Sequence, residues 1–438
     1  MSEKLSETES AFVSLHRTMV GQALNGNSAS LVGLRQNAIN TFANVGLPAR
    51  KSEAWKYTNI NAVLTKELAA RLSFDTHKVK PRLVNESLIP GLDSPFVVVN
   101  NGVLDLDSSN LSNLPNGVVV TTLQDAAEKH RSVFDSHFGK YVNETEGLAV
   151  LNTAFVHGGL FVFVPKGIEV AETLQVVHVV SSTESSFIQP RTLFVVEEAA
   201  SLSVIERLVS ATDSATVSNR VIETYTGKSS RLSIIRVQDE NVDSSTVTSL
   251  YSVQERDSYV YDLTLSLSGK LIRNNLNFRH LDSHCETHLN GFFIGRGDNQ
   301  IDNHSIVDHA MPDCYSNETF KGVLYDNSTG VFNGKVLVRR DAQRTNAYQS
   351  NRSIVVSDSA HMYSKPELEI YADDVKCSHG ATTGRLEPES MFYLQSRGLS
   401  EERARALLLG AFAREVVESV ANPVVREYLT DELNRRVL

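Results

Sequence analysis

Tyr371-Ala372-Asp373-Asp374-Val375-Lys376-Cys377-Ser378-His379-Gly380-Ala381-Thr382 opens on an acidic turn and runs into β-branched and small residues. That is the composition of a turn feeding a strand. On a regular strand Val375, Cys377 and His379 face one way, while Lys376 and Ser378 face the other. The thiol and the imidazole then stand roughly 7 Å apart along one face, which is half of a metal site. A buried free cysteine more often acts as a small hydrophobe, and the spacing alone leaves both readings open.

The same turn-and-strand unit recurs upstream. Between about 155 and 385, short β-branched runs alternate with Gly, Asp, Ser and Asn clusters, and no helical period survives. Turn centres fall near Ala199, Ser229, Asp257, Ser283, Asp298, Pro312, Ser328, Asp341, Asp358 and Asp373, at spacings of about 15 or about 30 residues. A coil of two long strands and two turns gives that period, and stacked coils bury a continuous apolar stripe. A β-sandwich would need hairpin turns every ~8–12 residues. Asn100-Asn101-Gly102, Asn116-Gly117, Asn290-Gly291 and Asn333-Gly334 are too few and too irregular for it. The reading is a mainly β chain with a solenoid core over 151–385, a helical and mixed region over 1–150, and a helical region over 386–438.

Both flanks carry helical signals. Leu31, Leu34, Ala38, Ile39 and Phe42 recur at helical spacing with Ser28 or Ser30 as cap, until Gly46 and Pro48 stop them. The stretch from Gly46 to Thr58 reads as a packed connector anchored by Trp55, and Leu123 to Phe138 reads as a helix with His130 and His137 in solvent. Downstream, Pro388 suits the first position of a helix that Gly398 ends, and Ser400 caps the next. The apolar face expected of that second helix is Ala404, Leu407, Leu408, Ala411, Phe412, Val416 and Val420, and a third helix runs through Leu429 and Leu433.

Composition removes several classes of function. A formal charge of -10 over 438 residues, with no basic stripe, argues against nucleic-acid binding. The longest apolar run, Ala406 to Ala413, is far shorter than the ~18 residues of a membrane span. The polar start Met1-Ser2-Glu3-Lys4 gives no expectation of a secretory leader. Cys285, Cys314 and Cys377 form no CxxC pair, which fits a reducing, cytoplasmic setting. Gly330 to Val336 lacks P-loop spacing, and GxSxG, HExxH and helix-opening GxGxxG are absent. Catalysis by this chain is therefore not expected. His280, His284, His288, His304 and His309 crowd together with Cys285 and Cys314, and read as polar ladders along a solenoid face rather than a metal site.

Tyr371 to Arg385, followed by Met391-Phe392-Tyr393-Leu394-Gln395-Ser396-Arg397-Gly398-Leu399, closely resembles the SufB/SufD family of iron-sulfur cluster assembly proteins. The form of the Tyr371 to Thr382 motif looks like the SufD branch. The likeness extends through Lys365 to Ile370, Phe332 to Val336 and the Gly46 to Thr58 connector. The resemblance implies a right-handed parallel β-helix with helical ends, acting as a non-catalytic scaffold of the SufBCD complex. It implies pairing with a SufB-like protein through the β-helix and docking of the ATPase SufC on the C-terminal helices, at Phe392, Leu407, Leu408, Phe412 and Val416. It assigns His379 and Cys377 to a site shared with SufB that handles transient iron or a nascent cluster, with nothing bound tightly by the lone chain, which would pair with itself when isolated. A β-helix polysaccharide lyase or hydrolase is the alternative from a different class.

Overall fold

From Leu160 to Gly384 the chain winds as a β-solenoid, each coil giving one strand to each of two stacked sheets. The computed structural model describes residues 5–20, 29–49, 51–74 and 76–437. One sheet stacks the strands that begin at Leu174, Ser201, Arg231, Tyr259, Glu286, Tyr315, Thr345 and Val375. The other stacks those that begin at Leu160, Arg191, Val217, Ser245, Leu271, Gln300, Thr329 and His361. Pairing is parallel from coil to coil, with Arg231 on Tyr259, Tyr259 on Glu286 and Glu286 on Tyr315.

The turns explain the register. Ala199, Ser229 and Asp257 adopt φ of 56°, 55° and 58°, a left-handed conformation uncommon outside glycine. Their N–H groups donate to the next coil's corner, at Lys228 O (2.8 Å), Arg256 O (2.8 Å) and Ser283 O (3.2 Å). Each corner thus fixes the one stacked on it. Between the sheets lie Val204, Ile234, Ile222, Leu250 and Leu276, while the alternate residues Ile205, Ile235 and Leu263 point outward beneath the C-terminal helices. Strands covered on both faces read as continuous apolar runs.

Helices Glu7–Val20, Ala29–Val45 and Gly147–Ala154 cover the outer face of the second sheet, through Phe12, Phe42 and Leu151 against Val247 and Leu271. Ser28 lies outside the described residues, and Ser30 sits within the second helix, its hydroxyl donating to Asp135 Oδ1 at 2.6 Å. Trp55 anchors the connector as expected, with the Arg273 guanidinium 3.8 Å from its ring centroid. The helix expected over Leu123 to Phe138 is two, Leu123–Lys129 and Arg131–His137, broken at His130. His137 is half-buried rather than in solvent: its Nδ1 lies 2.5 Å from the Tyr141 hydroxyl, and burial pulls its pKa down to about 4.

Two boundaries differ from the sequence reading. Strand Phe96–Asn100 pairs in parallel with Leu174–Val180, so the first coil borrows a strand from before residue 150. Helices Glu401–Arg414 and Pro423–Val437 do not stand apart, since Leu409, Ala413, Val417, Leu429 and Leu433 share one core with Ile205, Ile235 and Phe292 of the solenoid. Of the face the sequence suggested, Ala404, Val416 and Val420 are buried, while Leu409, Ala413 and Val417 take the places expected of Leu407, Leu408 and Ala411. Three consecutive leucines, 407 to 409, make two apolar faces, and periodicity selects Leu407 and Leu408 where the structure buries Leu409. Antiparallel strands Val103–Asn110 and Val119–Thr121 finish the two sheets at the solenoid's first end. At the last end the sheets simply stop.

Candidate functional site

The stopping place is an open double edge. Strands His361–Ile370 and Val375–Gly384, ten residues each, close the stacking order of the two sheets, and no strand pairs with their outer edges among the described residues. Long unpaired edges offer a row of N–H and C=O groups to another strand. Their register on the preceding coil runs unbroken through Gly380, which sits on Ser350, so Val375, Cys377 and His379 keep to one face. That face is the inner one. Val375 and Cys377 pack on Ala347, Val336 and Val338. His379, one step further along, is exposed.

Burial pushes the half-buried Cys377 thiol above the usual thiol range, so on its own it is a protonated, weak ligand. No third protein ligand gathers around Cys377 and His379 among the described residues. Beneath His379 runs a polar ladder that the sequence did not reveal. His379 stacks on Gln349, and Gln349 on Glu318. Gln349 Nε2 donates to Glu318 Oε2 at 2.7 Å, the Ser305 hydroxyl donates to Glu318 Oε1, and Gln349 Oε1 has no partner. Full burial pushes the Glu318 carboxyl up to about 7, against the two hydrogen bonds. A glutamate between Asn317 and Thr319 carries no sequence signal of this, because only the register shows that it points inward.

The residues expected to dock a partner divide into three groups. Phe392 and Leu407 are 72% and 55% exposed. Phe392 borders a cleft with Val355, Leu386, Met391 and Arg405 between the last coil and the helices. Leu408 and Phe412 are half-covered, and Lys321 Nζ both donates to Phe412 O at 3.1 Å and sits 4.4 Å from its ring centroid. Val416 is 1% exposed, inside the core that fastens the helix to the solenoid, and presents nothing to a partner.

The histidine group divides as well. His284 occupies a left-handed turn at φ 61°, His288 Nε2 contacts Glu286 Oε1 at 2.6 Å, and His304 Nε2 contacts Asp302 Oδ1 at 2.9 Å. His280 and His309 are wholly buried at neighbouring positions of successive coils.

Two family models match this chain: the SufBD core domain of SUF-system FeS cluster assembly over residues 178–412, and the SufBD protein N-terminal region over residues 6–176. An iron-sulfur cluster assembly SufBD family protein of Synechocystis sp. is 30% identical over 401 residues, 89% of this chain and 87% of that protein. The iron-sulfur cluster assembly protein SufD of Escherichia coli is 25% identical over 409 residues, 92% of each chain. SufD of Bacillus subtilis is 28% identical over 330 residues, 73% of this chain and 74% of that protein.

Proposed function

Since the chain belongs to the SufBD family of SUF-system iron-sulfur cluster assembly proteins, we propose that it is a non-catalytic scaffold subunit, SufD-like in kind, whose site is completed by partners. The observation that carries this is the open solenoid end, where the outer edges of two ten-residue strands have no partner among the described residues and His379 is exposed on one of them. A SufB-like β-helix fits such an edge by strand addition, with main-chain hydrogen bonds for affinity and side chains for register. Iron or a nascent cluster, as cargo, then meets His379 and Cys377 from this side and further ligands from the partner. Thiolate and imidazole suit both species.

The C-terminal helices supply the second contact. Phe392, Tyr393 and Leu407 are large apolar residues left in solvent on one end of the molecule, and a SufC-like ATPase docked there would supply the nucleotide chemistry for which this chain has no P-loop. Leu409, Ala413 and Val416 fasten the same helices to the solenoid, so movement of the docked ATPase reaches the coils directly. No helix among the described residues is long and apolar enough to cross a membrane.

Co-expression with SufB-like and SufC-like partners, followed by iron and sulfide analysis of the purified complex, tests the reading. His379→Ala is expected to lower iron and sulfide content while the complex still assembles, and Ala381→Pro in the edge strand to weaken assembly itself. A His379→Ala complex with undiminished iron and sulfide would remove His379 from the site.

A further inference from the structure

His280 and His309 end two strands that lie side by side, and each stacks directly on the other in register. Cys285 and Cys314 precede the two strands that begin at Glu286 and Tyr315, so the cysteines too occupy one corner of successive coils. The four residues make a two-by-two block, and all four are at most 1% exposed. One imidazole nitrogen each of His280 and His309 and the Cys314 Sγ lie within 4.8 Å of one another. Cys285 Sγ lies 3.2 Å from the carbonyl oxygens of both Glu255 and Asp282, to either of which its S–H can donate.

The neighbouring coils carry hydroxyls and amides at this corner, Ser258 before Cys285 among them, but neither histidine nor cysteine. One coil earlier the histidine position is Gln254, and one coil later it is Val338. The cysteine position becomes Thr345 on the following coil. Histidine and cysteine thus occupy both corner positions on these two successive coils alone.

The orientation of the rings is the second observation. His280 Nδ1 and His309 Nδ1 face each other at 3.2 Å. Two nitrogens each ~2.0 Å from a tetrahedral zinc lie about 3.3 Å apart. The outer nitrogens are held by hydroxyls: His280 Nε2 is 2.9 Å from Thr287 Oγ1, and His309 Nε2 is 2.8 Å from Ser316 Oγ. The Thr287 hydroxyl donates onward to Gln254 Oε1 at 2.6 Å, so it accepts from His280 Nε2–H and leaves the Nδ1 of that ring as a lone pair. With no ion between them, His309 must put its proton on Nδ1 to avoid two opposed lone pairs. With an ion, both rings carry the proton on Nε2, and both outer hydroxyls accept.

We propose that this corner is a closed site for one borderline-soft divalent cation of the zinc class, held by His280 Nδ1, His309 Nδ1 and Cys314 Sγ, with Cys285 buried at the adjoining corner. The site differs in place and character from the exposed pair Cys377 and His379, and it stands whether or not those residues handle cluster cargo. Cys314 binds as thiolate, any proton it holds passing to solvent. An ion here ties two coils together at a corner whose turns have left-handed residues, His284 at φ 61° and Asp313 at φ 61°.

The test uses the reduced full-length chain, stripped with a chelator and titrated with Co2+ and then Zn2+. One equivalent of Co2+ is expected to give a thiolate-to-metal charge-transfer band that Zn2+ abolishes. The band is retained in Cys377→Ser and lost in Cys314→Ser. Thr287→Val, which removes the acceptor for His280 Nε2–H, weakens Zn2+ retention by roughly 10- to 100-fold. Should Cys314→Ser fail to fold, zinc-edge X-ray absorption of the unmutated protein decides, with nitrogen at ~2.0 Å and sulfur at ~2.3 Å expected. Absence of stoichiometric ion, a cobalt spectrum without thiolate character, or a band lost in Cys377→Ser instead would overturn the assignment.

Discussion

Replacing Glu318 by glutamine isolates the energetic consequence of placing a carboxylate inside the solenoid. Glu318 is fully buried with two neutral hydrogen-bond partners and no cation, and its pKa rises from the ordinary 4.5 to about 7. Between those values the folded state holds a proton that the unfolded chain has lost. Stability therefore falls as pH rises through this window. At 1.36 kcal/mol per pH unit the difference amounts to roughly 3 kcal/mol, present in full above pH 7. Glutamine cannot ionise, and its Nε2 can donate to Gln349 once that amide turns its partnerless Oε1 inward. Urea denaturation of wild type and Glu318→Gln at pH 5 and pH 8 gives the measurement. The variant is expected to gain about 3 kcal/mol relative to wild type on going from pH 5 to pH 8, all other titrating groups being common to both. A stability difference independent of pH would show that Glu318 does not titrate in this range and that the ladder beneath His379 is wetter than its burial implies.

Further outcomes follow from the buried pairs and the C-terminal helices. Arg273→Met removes the guanidinium that lies 2.6 Å from Asp302 and under Trp55, and leaves a buried carboxylate to Thr58 and His304. A loss of about 3–5 kcal/mol is expected in urea denaturation. Burial opposes ionisation of Asp302, yet Arg273 and His304 bring it down to about 2, so its contribution is present above the ordinary 3.8 and disappears as pH falls toward 2. Leu409→Ala opens a cavity between helix and solenoid and should cost about 2–5 kcal/mol. The exposed Leu407 of the same helix behaves in the opposite way: Leu407→Ala should change stability by less than about 0.5 kcal/mol while weakening pull-down of a SufC-like partner.

Chain order and spacing disclosed the solenoid because its corners are chemically marked. Ala199, Ser229 and Asp257 were legible as turn centres and prove to be the left-handed residues themselves. The edge strand at Val375 was legible for the same reason, an Asp-Asp turn followed by alternating small residues. What faces what across coils was not. Glu318 under Gln349, and His280 against His309, lie 31 and 29 residues apart in sequence, and a slip of one residue would turn each pair to the opposite face. Helix Glu401–Arg414 failed differently, since an unbroken run of leucines satisfies two apolar faces at once and only the position of the sheet decides which is buried.

The two ends of the solenoid differ in a way that bears on partner choice. Antiparallel strands of eight and three residues finish the first end, while the last presents two parallel edges of ten residues each, the longer surface for strand addition. That end is guarded but not blocked. Lys365 reaches Glu53 at 3.0 Å and Glu367 at 2.9 Å, and Lys335 reaches Glu369 at 2.6 Å, so much of the charge along the edge is neutralised within the chain. Tyr363 stacks on Tyr57 at 4.4 Å and is held off the edge by the connector. An edge with its charges paired in-house repels neither a second copy nor a relative of similar shape, and the choice between them falls to side chains at the seam. A two-fold copy can offer only another His379 and another weak, burial-raised Cys377 thiol. In the proposed assembly a SufB-like edge would bring ligands of different strength to the same place, which would favour the mixed pair when cargo is bound. Light scattering of the isolated chain, repeated with an equimolar SufB-like partner and iron, should show a self-pair giving way to the mixed one.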